Sequence, residues 1–371
     1  MSQMGTAAAF FGERKPFELW EFPIPDPAPG AAVIKMRLAN VCGSDMHYWR
    51  GEMDILKMNR PVPAALGHEG TGEVFRLGAG VTTDSRGELL HEGDRVVFQY
   101  FYPCMQCPTC LKGHIYACPV RQADRAHGIE EWPHFRGTFG QYYYLHPKHA
   151  MFKVPDNLSD EIVAGINCAL SQVIAGLDRA RLMSGETVAI QGAGGLGIYA
   201  TAVAKAGGAS KVIVIDGVAE RLQLAREFGA DEIVDLGEFD SPQARVDRVL
   251  DMTEGVGADV TMELVGHPGV VQEGLQMTAP GGRYVEIGNI NVGWNTEFDP
   301  SGIVFRNVTI LGIAHYQPRD LHAALNFVSR NVDFLPLGNI ASHTYPLTEI
   351  NRAFEEQDTG HVTRSSLAPH S

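Results

Sequence analysis

The sequence predicts an α/β protein with two domains, the first rich in β-strands and the second built on a doubly wound parallel sheet. The length of 371 residues exceeds that of one ordinary domain, for which roughly 100–200 residues are usual. The pattern of the chain changes near residue 185. Before that point β-rich runs follow one another, and after it short apolar runs alternate with helix-like segments, as in βαβ units.

The predicted strands of the first half combine β-branched and aromatic residues and are separated by Gly, Pro and Asp. They are VIKMRLANV (33–41), GTGEVFRL (70–77) and RVVFQYF (95–101). We expect this half to be mostly β.

The second half contains six apolar runs, which are enough for a doubly wound sheet. They cover 188–191, 211–216, 232–235, 259–265, 283–288 and 307–314. Between two of them, AERLQLAREFG (219–229) has the period of an amphipathic helix and ends in Gly. Strands that alternate with such helices form parallel sheets buried on both faces. After residue 318 a helical segment leads into a polar tail, and this stretch is too short to be a domain of its own.

Composition excludes several classes of protein. With 44% hydrophobic and 20% charged residues, the chain is neither disordered nor fibrous. The formal charge of −14 opposes binding to nucleic acid or to an anionic membrane. We find no signal peptide, and no uncharged apolar run reaches the length of a membrane span. We therefore expect a cytoplasmic protein whose partner is a small molecule.

A glycine-rich motif, GAGGLG, stands between a predicted strand and a predicted helix. Gly192 allows a tight turn, Gly194 lets a pyrophosphate approach the backbone, and Gly197 allows the helix to pack closely on the strand. The next strand ends in Asp216, 19 residues after Gly197, where a carboxylate accepts hydrogen bonds from an adenosine ribose. The combination predicts a dinucleotide site.

The same region favours NAD over NADP, because a carboxylate at Asp216 repels a 2′-phosphate. Gly195 and Leu196 complete the predicted cofactor loop. Arg221 is open to two interpretations: it stacks on the adenine or meets a phosphate, or it lies on a solvated helix face.

Four cysteines lie within fifteen residues in the pattern C-x2-C-x2-C-x7-C. In a chain without a signal peptide, this clustering favours a metal over disulfides. Four thiolates suit a closed tetrahedral zinc site that stabilises a loop without a core of its own. An iron–sulfur cluster is the chemical alternative. The four residues are Cys104, Cys107, Cys110 and Cys118.

A third group of residues is dispersed along the chain. It comprises Cys42 in CGSDMH, His68 and Glu69 in GHEG, and Cys168 in INCAL. Each alone is unremarkable, since a lone Cys is usually a small buried hydrophobe. Together they offer two sulfurs, an imidazole and a carboxylate, the ligand set of a catalytic zinc with one position open to substrate.

These motifs, in this order, resemble those of the zinc-dependent alcohol dehydrogenases of the medium-chain dehydrogenase/reductase superfamily, and the resemblance covers nearly the whole chain. It implies a GroES-like catalytic domain at 1–168, a Rossmann NAD-binding domain at 169–317, and a segment at 318–371 that returns to the catalytic domain. It also removes the iron–sulfur alternative. The implied zinc count is two per subunit: a catalytic ion on Cys42, His68 and Cys168, and a structural ion on the four clustered cysteines.

The resemblance implies further roles, residue by residue. Glu69 matches a carboxylate beside the catalytic zinc, and Asp45 orients the zinc-binding His68. Ser44 and His47 match a proton relay. The other matches are Gly288 and Ile290 at the nicotinamide end, Arg364 near the cofactor phosphates, and Tyr100, with Trp49, in an apolar substrate pocket.

The implied activity is NAD-linked oxidation of a secondary or cyclic apolar alcohol, by a homodimer or homotetramer. Polyol and threonine dehydrogenases of the superfamily are an alternative, although they commonly have a carboxylate where this chain has Cys168. A zinc-independent reductase and a non-catalytic zinc- and nucleotide-binding protein are two others. The sequence departs from the family in its tail, HVTRSSLAPH, where an apolar strand is usual, and at 121–137, which borders the substrate entrance or is a surface loop.

Overall fold

The computed structural model describes residues 3–58, 60–121, 123–239, 241–360, 362 and 364–371. The chain forms two compact units. The first unit comprises Met1–Cys168 and Gln317–Ser371, and the second unit comprises Ala169–Tyr316.

The elements follow in chain order. Those before residue 169 are β1 (Met4–Phe10), β2 (Glu18–Pro23), β3 (Ala32–Asn40), α1 (Gly43–Trp49), β4 (Ala64–Ala65), β5 (Glu69–Leu77), β6 (Arg95–Phe98), α2 (Pro108–Leu111), β7 (Tyr142–Leu145), β8 (Met151–Lys153) and α3 (Asp160–Val163). The second unit contains α4 (Ser171–Ala180), β9 (Thr187–Gln191), α5 (Gly195–Ala206), β10 (Lys211–Asp216), α6 (Ala219–Glu227), β11 (Glu232–Asp235), α7 (Pro242–Met252), β12 (Ala258–Glu263), α8 (Val271–Met277), β13 (Thr278–Glu286), α9 (Ser301–Arg306) and β14 (Thr309–Gly312). The last stretch contains α10 (Pro318–Asn331), β15 (His343–Pro346), α11 (Ile350–Asp358) and β16 (Ser365–Ala368).

The first unit is built around β3, which pairs with β5 along its length, with β7 at its start and with β16 at its end. The larger sheet has the order β15-β16-β3-β5-β6-β8, and a smaller sheet has the order β2-β1-β4. Apolar side chains of β3, such as Ile34, meet the rings of Phe10, Phe98 and Phe354 in one hydrophobic core. This core holds α1 and the start of β5, which carry most of the dispersed cysteine and histidine motif.

The second unit confirms the predicted doubly wound sheet. Its strand order is β11-β10-β9-β12-β13-β14, and every pairing is parallel. Each of the six predicted apolar runs forms one of these strands. The order reverses between β9 and β12, and ligands of open parallel sheets bind beyond the carboxyl ends of the strands at such a point. The glycine-rich motif follows β9 directly.

The C-terminal tail differs from its polar appearance in the sequence. Residues 365–368 form β16, which pairs with both β15 and β3. The strand is possible because its hydroxyls find buried partners: Ser365 Oγ donates to Ala353 O at 3.1 Å and Ser366 Oγ donates to Asn40 Oδ1 at 2.8 Å. His361 and Thr363 lie outside the described residues.

The segment 121–137 is not simply a surface loop. Ile129 and Phe135 are buried in a second core with β1 and β7, and Arg125 lies over the ring of Tyr100. Gln122 lies outside the described residues.

One helical stretch, Asp160–Ala180, has the length and composition of a membrane span, but 78% of its most apolar window is buried inside the protein. Burial of that kind is typical of a core helix.

Candidate active site

Four donor side chains from three parts of the chain meet in the first unit. Cys42 directly precedes α1, His68 and Glu69 stand at the start of β5, and Cys168 lies in a π-helical turn, Ile166–Leu170. Their ligand atoms all lie within 4.8 Å of one another, and all four residues are buried. Single turns of π-helix are frequent at functional sites, and this turn carries the ligand most distant in sequence.

Asp45 links two of these donors. Its Oδ2 accepts a hydrogen bond from Cys42 N at 3.0 Å, as in a capping box at the start of α1. Its Oδ1 lies 3.5 Å from His68 Nδ1. The carboxylate therefore fixes the imidazole as expected for a metal-binding histidine.

Asn167, which the sequence analysis did not identify, positions the histidine from the other side. Its Nδ2 donates to His68 O at 3.0 Å and to Phe98 O at 3.1 Å, and its Oδ1 accepts from Gly70 N at 3.4 Å. The side chain is fully buried. Because it is adjacent to Cys168, it connects the two parts of the chain that supply these donors.

The cluster has the electrostatics of a cation site. A hydrogen bond from Cys168 lowers the pKa of Cys42 well below its usual range, and the same interaction, with burial, raises the pKa of Cys168. Burial opposes protonation of His68, but Asp45 and Cys42 outweigh it and raise the pKa to about 10. Burial also raises the pKa of Glu69.

Only one of the two carboxylate oxygens of Glu69 has a hydrogen-bond partner. Oε2 accepts from Arg364 Nη1 at 2.8 Å in an almost fully buried ion pair, whereas Oε1 is buried without a hydrogen-bond partner. An orphaned carboxylate oxygen beside two thiols and an imidazole fits a divalent cation, and the mixed sulfur and nitrogen donors fit zinc. Arg364 is thus placed against Glu69, and its expected contact with cofactor phosphates stays a prediction.

The clustered cysteines form a second donor set around α2. Their four sulfurs also lie within 4.8 Å of one another, and Cys104 Sγ is 4.0 Å from Cys110 Sγ. Backbone N–H groups of Cys107 and Cys110 donate to the sulfurs three residues earlier, at 3.3 and 3.4 Å. Such backbone bonds lower the pKa of Cys104 to about 6. Thiolate stabilisation and near-tetrahedral spacing fit a structural zinc, for which edges of about 3.8 Å follow from the usual Zn–S length.

The two relay candidates lie one turn apart on α1. Ser44 and His47 are both partly buried, and His47 Nδ1 is in close contact with Glu52 Oε2. Sequence reasoning missed Glu52. The Glu52 carboxylate fixes the imidazole ring. It can also accept a proton from His47, and it is more exposed to solvent than the imidazole.

The two aromatic candidates have different surroundings. The ring of Tyr100 is 4.8 Å from that of His68, and its hydroxyl is 4.0 Å from Cys168 Sγ, so Tyr100 borders the four-donor cluster. Trp49 is 7% exposed in the core, where its ring lies 6.1 Å from that of Phe354. These are contacts of a packing residue, and they do not support the assignment of Trp49 to a substrate pocket.

The glycine-rich loop of the second unit has the geometry that a dinucleotide requires. Gly192 has φ +96°, Gly194 faces open space, and a Cβ on Gly197 would lie 1.9 Å from Gly192 O. Asp216 Oδ2 accepts from Ala193 N at 2.7 Å, which places the carboxylate beside the loop. Each glycine therefore has the role that the sequence predicts for it: Gly192 makes the turn, Gly194 leaves the backbone accessible, and Gly197 allows close packing of the helix. The loop fits the pyrophosphate and ribose of such a cofactor.

The remaining predicted cofactor residues lie on the same unit. Gly195 and Leu196 begin α5. Gly288 follows β13, and a Cβ there would lie 2.6 Å from Glu263 Oε2. Ile290 is 37% exposed, and the buried Nε of Arg221 has no hydrogen-bond partner.

Comparison with known proteins identifies both halves of the chain. Residues 28–156 match the family model described as "Alcohol dehydrogenase GroES-like domain", and residues 195–330 match "Zinc-binding dehydrogenase".

Similar proteins extend the match to nearly full length. The chain is 33% identical to 5-exo-hydroxycamphor dehydrogenase of Pseudomonas putida over 94% of both chains. It is also 33% identical to L-threonine 3-dehydrogenase of Pyrococcus furiosus, over 80% of this chain and 79% of that one. The crystal structure of an alcohol dehydrogenase from Thermotoga maritima superposes with a TM-score of 0.91 at 31% identity and covers 100% of both chains.

Proposed function

The chain belongs to the zinc-binding, GroES-like alcohol dehydrogenases of the medium-chain superfamily, and we propose that it is a zinc-dependent, NAD-linked dehydrogenase of secondary or cyclic alcohols. The observation that carries the proposal is the buried set of Cys42, His68 and Cys168, with its orphaned Glu69 oxygen. The similarity to an enzyme named for a cyclic secondary alcohol supports this substrate class.

Zinc bound at this set would supply a Lewis acid that lowers the pKa of a substrate hydroxyl, and NAD would accept the hydride. The side chains around it have their own tasks. Asp45 and Asn167 hold His68 in place. Tyr100 offers an aromatic face to the carbon skeleton.

The hydroxyl proton needs a separate path. We propose that Ser44 accepts it and passes it to His47, and that Glu52 orients His47 for release to solvent. Loss of the hydroxyl proton and of a hydride from the carbinol carbon converts the alcohol to a ketone or aldehyde.

The preference for NAD rests on Asp216. Its carboxylate stands beside the glycine-rich loop, where a ribose 2′-hydroxyl donates to it and a 2′-phosphate is repelled.

The remaining features of the proposal concern stoichiometry, assembly and location. We propose two zinc ions per subunit, the second on Cys104, Cys107, Cys110 and Cys118, and a homodimer or homotetramer in the cytoplasm. The six cysteines form no disulfide, which suits a reducing compartment.

A screen of NADH absorbance tests the proposal. Zinc-loaded protein is mixed with NAD or NADP and with primary, secondary, cyclic and polyol alcohols. We expect NADH to form with a secondary or cyclic alcohol and the activity to disappear on chelation. No turnover on any alcohol, with two zinc ions bound, would instead favour a non-catalytic binding protein.

A polyol or amino-alcohol dehydrogenase is the second candidate, because the relatives include an L-threonine 3-dehydrogenase at 33% identity and an erythritol/L-threitol dehydrogenase at 30% identity. Faster turnover of L-threonine or sorbitol than of hydrophobic alcohols would establish it.

A further inference from the structure

A buried arginine packs on α1, the helix that follows Cys42, and has no acidic partner among the described residues. Arg60 is 7% exposed, and its Nε has no hydrogen-bond partner. Its guanidinium lies 4.9 Å from the centre of the Tyr48 ring, on the helix that begins beside Cys42. Among the residues that the structure describes, no carboxylate forms an ion pair with it.

A second guanidinium approaches the cluster from the segment after the cysteine lobe. Arg125 lies 5.6 Å from the centre of the Tyr100 ring, and that ring is 4.8 Å from the ring of His68. In the described part of the chain, Arg125 also has no carboxylate within ion-pair distance. Burial, and then the positive charge of Arg125, lower the pKa of Arg60 to about 10.

Asp45, whose charge acts on Arg60, already has other partners. Asp45 bonds Cys42 N and orients His68, and Glu52 contacts His47. Asp45 offsets only part of the charge of Arg60. The chain has 44 acidic residues and a net charge of −14, so the missing partner is not explained by a shortage of carboxylates.

An unpaired buried cation is costly. Desolvation of a charge that no counter-ion compensates opposes folding by several kcal/mol, and arginine is rarely buried unless it is paired. A protein retains such a group where a ligand supplies the missing charge. A ligand held by Arg125 would lie next to Tyr100, whose ring borders the donor cluster.

We propose that the substrate alcohol carries an anionic group, a carboxylate or a phosphate, and that Arg60 and Arg125 bind this group while the hydroxyl faces the donor cluster. The inference rests on the proposed function, because it names the class of alcohol that the dehydrogenase oxidises. A guanidinium pair binds a carboxylate or phosphate through charge-assisted, bidentate hydrogen bonds. It also repels an ammonium group, so a hydroxy acid fits better than a zwitterionic amino alcohol such as threonine.

Matched substrates test the proposal directly. The neutral member is methyl 3-hydroxybutanoate, and the anionic members are 3-hydroxybutanoate and 3-hydroxybutyl phosphate, which distinguish the two anion sources. A cyclic pair, 3-hydroxycyclohexanecarboxylate and its methyl ester, covers the other expected skeleton. We expect kcat/KM for at least one anion to exceed that of its neutral partner by about 30-fold or more, as one charge-assisted interaction allows.

Variants assign the preference to the arginines. Arg60→Met and Arg125→Met keep much of the apolar stem and remove the charge. We expect each to lower kcat/KM for the anion about 10-fold or more, and to change that for the ester less than about threefold because the neutral compound lacks the interaction. Arg76→Met, at an exposed pair with Asp26, is the control and changes neither.

Stability separates a ligand-binding role from a packing role. If the role of Arg60 is to bind an anionic ligand, Arg60→Met keeps or raises the Tm of the ligand-free protein, because the substitution removes an unpaired buried charge. A lower Tm for Arg60→Met, with an unchanged ratio of anion to ester turnover, would show that Arg60 only packs on Tyr48 and would overturn the proposal.

Equilibrium binding distinguishes failure of this inference from failure of the proposed function. 3-Hydroxycyclohexanecarboxylate is titrated calorimetrically into the zinc- and NADH-loaded protein and its Arg60→Met variant. Binding that the variant loses supports the anion site even if no alcohol is oxidised, in which case only the proposed function fails. If the acid and its methyl ester bind equally well, or if an active enzyme oxidises both at the same rate, the anion site is refuted. The proposed dehydrogenase function is not affected by that result.

Discussion

His47 is the residue on which the proposed proton path depends, and its contact with Glu52 gives that path a direction. General acid–base groups contribute about 10²–10⁴ to rates, and water replaces them in part when the site is open. We expect His47→Ala to lower kcat about 10- to 100-fold and to change the pH profile of kcat, because the imidazole no longer carries the proton.

Steady-state kinetics from pH 5.5 to 9.5 check this, with His91→Ala as control because that imidazole is 72% exposed. Glu52→Gln should give a smaller loss of the same kind. A His47→Ala profile that is parallel to the wild-type one would exclude His47 from the relay.

Glu263 is a buried carboxyl whose charge state couples stability to pH. Its Oε1 accepts from Val265 N and Gly266 N, both at 2.7 Å. Burial, reinforced by the neighbouring side chain of Glu286, raises its pKa to about 8. The folded protein therefore retains a proton there that the unfolded chain releases near its usual pKa of about 4.3.

The sign of the effect follows from this difference in proton binding. Between about pH 4.5 and 8 the folded state binds more protons, so the free energy of unfolding falls as pH rises, by up to about 1.4 kcal/mol per pH unit for one group. We expect Glu263→Gln to have a higher Tm than the wild type at pH 8 and a smaller advantage at pH 5.5. Circular dichroism melts at both pH values test this, with the exposed Glu238→Gln as control. A constant difference at the two pH values would contradict it.

At the scale of elements, the segment around α2 depends on its sulfurs because it has little apolar interior. Cys110 and Cys118 are buried, whereas Met105 is 57% and Leu111 75% exposed. A loop of this kind takes its folding energy from the metal.

We therefore expect Cys110→Ser to reduce bound zinc from two ions per chain to one and to make residues 102–121 sensitive to protease. Atomic absorption and limited trypsin digestion measure the two effects, and Thr109→Ser is the matched control. Loss of both ions, or a resistant loop, would show that the two donor sets are not independent.

At the scale of the whole molecule, the features that the sequence predicted are those that depend on local patterns. Six apolar runs separated by helices predicted the parallel sheet, since strands buried on both faces consist mainly of apolar residues. The glycine loop was recognisable because turn, approach and packing each require Gly at a fixed spacing.

The features that the sequence concealed depend on tertiary partners. Nothing local distinguishes Asn167 from an ordinary helix residue, and its role follows from two carbonyls, of His68 and Phe98, that lie far away in sequence. Trp49 was assigned to a pocket because it follows a site motif, but helix α1 turns it into the core. Arg60 can be recognised as a candidate anion-binding residue only from the structure, because only the structure shows that no described acid pairs with it.

The ion pair between Glu69 and Arg364 joins residues separated by 295 positions. During synthesis, Glu69 therefore leaves the ribosome long before Arg364. Until then Glu69 lacks the cation that compensates its charge, and an uncompensated buried charge costs about 3–5 kcal/mol. A nascent chain can therefore form the parallel sheet of the second unit before Arg364 is synthesised, but the donor cluster is completed only when Arg364 is available. A chain truncated before Arg364 would be left without a finished site.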